Sequence, residues 1–254
     1  ALEDRVGTTL VLRGQPCTGT PTGQRLAKHA EDVALLEAQA LGVSGNTSPP
    51  RLRLAVPADV LATWLIPALA QIPDMLFDLV IDDQDTSADW LRRGEVSAAV
   101  TGQARAAPGC DLRPLGALRY HPTASPAYMK KWFAQGVTTE TLSQAPMLTF
   151  NRKDQLQGRW LMQKTGQRLT PPSHHLPSSH GFVTAAREGL GWGMNPAPLV
   201  QEDMEMGTLV SLDDALPLDV PLYWQVARIM APALAPLTAA IRAAAREALV
   251  QGAR

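Results

Sequence analysis

The sequence predicts an α/β fold of two Rossmann-like lobes, with a long helix and a short piece ahead of them. Three observations carry this. From Arg51 onward, short apolar runs alternate with amphipathic stretches in the order strand, helix, strand, helix, strand. That order gives a parallel sheet with right-handed crossovers. A second series of the same kind begins near Met147. Ahead of both, residues 42–50 are rich in Gly, Ser, Asn and Pro and read as a linker.

The front opens on Leu2-Glu3-Asp4, the end of a short helix, and a hairpin-like piece over Thr8–Arg13. A long helix starts at Thr20-Pro21-Thr22-Gly23. Pro suits a first turn, where its missing N–H has no partner anyway, and a Thr hydroxyl can cap the free amides. Leu26, Val33 and Ala40 are seven residues apart. That stripe suits packing along another helix or along the protein's own core. Arg51–Val56 alternates as a strand, and 59–71 is a helix with Leu61, Leu65, Ile66 and Leu69 inward. Phe77–Asp82 is a strand, Thr86–Arg93 a helix and Val96–Thr101 a strand, followed by a strand near 116–123 and a helix from Pro126. In the second series, strands lie near 147–150, 174–176, 190–194 and 208–212, and helices near 154–164 and 179–188. A strand over 222–227 and an Ala-rich helix over 232–250 close the chain.

With 45% hydrophobic and 19% charged residues, the 254-residue composition is that of an ordinary globular protein. A formal net charge of −1 lacks the basic excess of a dedicated nucleic-acid binder. Cys17 and Cys110 make no disulfide framework, and no apolar run approaches the roughly 20 residues that span a bilayer. A soluble cytoplasmic protein without a membrane partner is expected.

In open α/β sheets, ligands bind beyond the carboxyl ends of the strands, where helix amides point. That rule selects Asp59 and Thr63 after the first strand, Asp82, Asp83 and Asp85 after the second, and Thr101 at the end of the third. In the second series it selects Phe150, Ser178, Ser179 and Asn195. Asp59, Asp82, Asp83 and Asp85 are expected to gather at one edge of the first lobe. A cleft with several carboxylates welcomes a ligand ammonium or guanidinium. The ligand's own carboxylate would meet helix amides and Ser178 or Ser179. Together these describe a basic amino acid. The same acids also suit N-caps and solvated turns, as Asp59 and Asp85 show by their positions.

Other chemistry is poorly supported. His174 and His175, adjacent on a strand, point to opposite faces, and no spaced Cys/His set or other motif supports a metal or cofactor. Ser179-His180 lacks a nucleophile elbow, and Gly189-Leu190-Gly191-Trp192-Gly193 follows a helix and enters a strand, the reverse of a dinucleotide fingerprint. No acid–base or nucleophile constellation marks an enzyme. Arg5 and Arg13 suit either phosphate contact or a solvated surface.

Leu2-Glu3, then Gly7-Thr8-Thr9-Leu10-Val11-Leu12-Arg13, then Thr20-Pro21-Thr22-Gly23-Gln24-Arg25-Leu26 stand in order. They resemble the end of the winged helix-turn-helix and the linker helix of a LysR-type transcriptional regulator. The resemblance implies a chain that keeps the sensing half and lacks most of the helices that read double-stranded DNA. It implies a two-lobed effector domain like type 2 periplasmic binding proteins, with the effector between the lobes. The implied division is 1–19 for the end of the winged helix, 20–43 for the linker (dimerisation) helix and 44–50 for a linker. Lobe one is then 51–120 plus 224–254, and lobe two 121–223. Ala58-Asp59-Val60-Leu61-Ala62-Thr63-Trp64-Leu65, Leu91-Arg92-Arg93-Gly94-Glu95-Val96, Leu115-Gly116-Ala117-Leu118 and Leu222-Tyr223-Trp224 resemble the ArgP branch of that family, also called LysG or IciA. This implies a homodimeric or homotetrameric regulator of basic amino-acid transport or metabolism that responds to lysine and arginine. The branch's Asn before Ala-Asp and Ser after it are Pro57 and Val60 here, and its acidic residue after Ser-Ser is His180. A solute-binding protein shares the lobed fold, but residues 2–42 speak against it.

Overall fold

A computed structural model describes residues 2–41, 49–82 and 87–252, with backbone alone at 38–41. The linker residues 42–48, the side chain of Ala40, and Asp83, Asp85 and Thr86 lie outside the described residues.

Helix α1 (Leu2–Val6) leads into the hairpin β1 (Val11–Leu12) and β2 (Thr18–Gly19), then α2 (Pro21–Leu41). Next come β3 (Arg51–Val56), α3 (Ala58–Val60), a π-helical turn (Leu61–Leu65) and α4 (Ile66–Leu69). They are followed by β4 (Leu76–Ile81), α5 (Ser87–Arg92), β5 (Ala98–Thr101) and the long β6 (Cys110–Ala124). After β6 lie α6 (Pro126–Trp132), α7 (Thr139–Gln144), β7 (Met147–Thr149), α8 (Leu156–Thr165), β8 (Ser173–His175) and α9 (Ser179–Arg187). The chain ends with β9 (Gly193–Pro196), α10 (Ala197–Met206), β10 (Val210–Ser211), β11 (Leu218–Ala227), a 3-10 turn (Arg228–Met230) and α11 (Ala235–Ala248).

Two compact units divide the chain. The first holds residues 1–57, 67–114 and 223–243; the second holds 58–66, 115–222 and 244–254. Residues 58–66 and 244–254 therefore pack with the second unit. Side-chain bonds of Asp59 and paired backbone bonds between Ala117 and Val250, both 2.9 Å, hold them there.

In the first unit the strand order is β11, β5, β3, β4. β3 runs parallel to both β4 and β5, with Leu54 opposite Leu79 and Ala98, whereas β11 returns antiparallel to β5. Ala55, Leu91, Val96, Ala99, Ala107 and Cys110 form a core cluster beneath the sheet. At the front, Glu3 Oε1 accepts from the Leu10 and Val11 amides at 2.6 and 3.1 Å, which ties α1 to the hairpin. Helix α2 buries Leu35, and Asp32 accepts from Ser97 Oγ at 2.7 Å. On the expected stripe, Leu26 is half-buried and Val33 stays exposed.

In the second unit β6 lies between β10 and β11, and β9 also pairs antiparallel with β6, placing His121 opposite Asn195. β7 runs parallel to β8, and the Leu148 amide donates to the Trp192 carbonyl at 2.7 Å just ahead of β9. Leu148, Phe182, Val183, Ala186, Val200 and Leu209 form the core, and the buried rings of Trp160 and Trp192 lie 5.2 Å apart. Asp219 accepts two 2.8 Å bonds from Arg119 across β6 and β11, but both side chains are well exposed. Asp219→Asn is therefore expected to cost about 1 kcal/mol or less in urea unfolding at neutral pH. The pairing holds the Asp219 carboxyl below its ordinary pKa, so even that small contribution fades as pH falls through the folded value.

Candidate functional site

The most developed polar site lies in the second unit, around Asp59. Pro57 ends the strand that carries the chain to α3, and Asp59 sits in the first turn of that helix. Its Oδ1 accepts from Ser179 Oγ at 2.6 Å, and its Oδ2 accepts from Tyr120 Oη at 2.9 Å. Ser179 is the first residue of α9, and Tyr120 is fully buried on β6. Three distant segments thus meet at one carboxylate.

Both donors are neutral, and no cationic side chain pairs with Asp59 among the described residues. Burial pushes the Asp59 carboxyl above its ordinary pKa; the two hydroxyls act against that shift, and the nearby charge of Asp154 adds to it. A carboxylate has about four lone-pair sites. Two are used here, so the group can still accept bonds from a cation.

The other expected residues fall into distinct roles. Thr63 Oγ1 donates to the Asp59 carbonyl at 2.6 Å, so its hydroxyl serves the π-helical turn that follows. Such turns are frequent at functional sites. Ser178 caps α9 by accepting from the Gly181 amide at 3.2 Å. The Ser179 hydroxyl donates its proton to Asp59. The Phe150 amide donates to Asp154 Oδ2 at 2.8 Å, and Asp154 Oδ1 accepts from the Leu156 amide at 3.0 Å, fixing the loop into α8. Asn195 Nδ2 donates to Thr123 Oγ1 at 2.9 Å, while its buried Oδ1 has no partner among the described residues. The buried Trp64 Nε1 has none among them either.

Asp82 and Thr101 belong to the first unit. Asp82 accepts from Trp90 Nε1 at 2.8 Å. Thr101 is wholly buried and accepts from Gln225 Nε2 at 3.0 Å, and Gln225 Oε1 in turn accepts from the Ala107 amide at 2.8 Å. Thr101 thus secures β5 to β11 from inside. Asp59 packs with the second unit and Asp82 with the first. Asp83 and Asp85 lie outside the described residues. Arg5 and Arg13 are both exposed.

Sequence reasoning missed Tyr120, Gln225 and the indole of Trp64. The first two act through partners far away in sequence, and no local pattern marks them. The exposed His174, His175 and His180 form no metal cluster, and no group of three His, Cys, Asp or Glu able to hold a metal is present among the described residues.

A family model described as the LysR substrate binding domain matches residues 45–246. The transcriptional regulator LysG of Mycobacterium tuberculosis strain H37Rv is 41% identical over 248 residues, which cover 96% of this chain and 82% of that protein. The crystal structure of ArgP from Mycobacterium tuberculosis matches with a TM-score of 0.83 at 40% identity, covering 99% of this chain and 87% of that one. Full-length LysG from Corynebacterium glutamicum with bound effector Arg matches with a TM-score of 0.76 at 34% identity, covering 98% and 86%.

Proposed function

We propose that this chain, which belongs to the LysR family of transcriptional regulators and is of the LysG/ArgP type, senses a basic amino acid, arginine or lysine, through Asp59. The observation that carries this is a desolvated carboxylate held by two neutral hydroxyls and, among the described residues, by no cation. A ligand ammonium or guanidinium would supply the missing charge and bond to the free lone pairs. The arginine bound to the Corynebacterium glutamicum relative supports the same class of effector. Ser178, Phe150 and Asn195 are the proposed neighbours of the ligand in the second unit, with Asn195 Oδ1 and Trp64 Nε1 free to bond it. Thr63 and Thr101 act as supports, and Asp82, Asp83 and Asp85 are the proposed acids of the first unit.

In this reading residues 1–19 are the end of a winged helix-turn-helix, 20–43 the dimerising linker helix and 44–50 the linker, and Arg5 and Arg13 face the DNA backbone. The stripe of Leu26 and Val33, with Val33 exposed, is where a second copy packs. The regulator works in the cytoplasm on genes of basic amino-acid transport or metabolism, and its role is regulatory rather than catalytic.

Thermal unfolding with arginine, lysine and the uncharged analogue citrulline tests this. A ligand at a hundred times its Kd adds about 2.7 kcal/mol to stability. Arginine or lysine at millimolar concentration is expected to raise Tm, and citrulline to do much less. Equal melting with all three, or with none, would overturn the reading.

A further inference from the structure

The first unit carries a cavity that arginine sensing does not use. It has a volume of about 200 Å³ and lies against β11 and the first turns of α11. Trp224 and Val226 form its inner wall, and Ala231, Ala235, Thr238 and Ala239 line its side. Trp224 is wholly buried and donates its Nε1–H to Thr238 Oγ1 at 3.0 Å, so the indole is fixed as a flat apolar surface. Ala235 and Ala239 are four residues apart on α11 and therefore share one helix face, where their short side chains leave the space open.

Charge is confined to three more lining residues, Asp111 and Arg113 on β6 and Arg242 on α11. Asp111 Oδ1 accepts from Arg228 Nε at 3.2 Å, so its negative charge is already balanced. Arg113 and Arg242 are exposed and have no carboxylate partner among the described residues. The amino end of α11, at Ala235, adds partial charge of the same sign. An apolar chamber bearing two unneutralised guanidiniums favours an anion with an apolar body. A guanidinium matches a carboxylate with two parallel bonds. A basic amino acid is disfavoured here, because its side-chain cation would face two like charges.

We propose that this cavity is a second ligand site, taking a small monocarboxylate whose charge is held by Arg113 and Arg242 and whose apolar or aromatic body rests on Trp224. It is independent of arginine sensing at Asp59.

The test uses the whole chain, with phenylacetate as the probe and phenylacetamide as its uncharged match. Binding is followed by the NMR signal of the Trp224 indole N–H. Phenylacetate is expected to shift that signal saturably at millimolar concentration, and the amide to bind at least about tenfold more weakly, as loss of a charge-assisted pair implies. Arg113→Gln and Arg242→Gln each reduce affinity by a similar factor, and Ala239→Leu removes binding by filling the chamber. Added arginine leaves the phenylacetate titration unchanged. The proposal is overturned if phenylacetate leaves the indole signal in place, if acid and amide bind alike, if neither arginine variant weakens binding, or if arginine competes. Both arginines are exposed, so their variants keep the question decidable should Ala239→Leu fail to fold.

Discussion

Asp59→Asn is expected to weaken arginine binding by about 30-fold or more, because removing one member of a desolvated charge pair costs about 2–5 kcal/mol. The fold should survive the change. The Ser179 and Tyr120 hydroxyls can rotate to accept as well as donate, so the carboxamide keeps both partners that now bond the carboxylate. The pH dependence has a definite sign. Burial raises the folded pKa of Asp59, so the contribution of this group to stability is full below its unfolded pKa and is lost as pH rises through the folded value. Without ligand, wild type should therefore lose ground to Asp59→Asn in Tm between acidic and neutral pH. A bound cation acts the other way and pulls the proton off Asp59. Arginine affinity of the wild type should fall as pH drops through the raised pKa, and calorimetry should find protons released on binding near it. An Asp59→Asn protein that binds arginine as tightly as wild type would falsify the assignment.

The residues that meet at Asp59 show what a sequence can and cannot carry. Asp59 and Ser179 are legible because both stand just beyond strands, at helix starts, where short polar side chains collect. Tyr120 is not, because it sits in the middle of a strand and its hydroxyl finds a partner 61 positions earlier. The unit to which Asp59 belongs was also hidden. Strand β3 places it beside the first sheet in sequence, while its side-chain bonds hold it to the second unit. Local structure follows the same logic. Strand β3 alternates at its start and β5 is an apolar run, so both are legible, β3 over its whole length and β5 to within two residues of its start. The expected strand near 116–123 covers only the later part of β6, whose start at Cys110 lies ahead of Pro114, a residue rare inside strands. Gly116 has φ of 123°, and a Cβ there would come within 2.8 Å of the Val250 carbonyl, so the residue serves close packing against the C-terminal segment. Helix α10 went unforeseen because Pro196 and Pro198 suggest a break, yet a proline in the first turn forfeits no helix bond.

Gly23→Ala should open the joint between the hairpin and α2. Alanine favours a helix interior over glycine by about 1 kcal/mol, so propensity alone predicts a gain. Space decides otherwise. A Cβ at Gly23 would lie 2.0 Å from the Leu10 carbonyl oxygen and 2.9 Å from its carbon. These are backbone atoms, and no rotamer change can relieve the overlap. The same carbonyl accepts from the Thr20 amide at 2.9 Å, while Thr20 Oγ1 donates to the Thr9 carbonyl at 2.9 Å and accepts from the Gly23 amide at 3.1 Å. Thr20 and Gly23 thus act together: the hydroxyl ties the hairpin to the helix start, and the missing side chain lets the two backbones touch. Overpacking costs about 1–3 kcal/mol, and a clash with backbone belongs at the upper end. Hydrogen exchange provides the measurement. In Gly23→Ala the amides of Leu10, Val11 and Thr20 should lose protection, while those of β7 and α9 in the second unit, and the Tm rise with arginine, stay as in wild type. Unchanged protection at Leu10 and Thr20 would mean that this contact does not hold the front of the chain to its long helix.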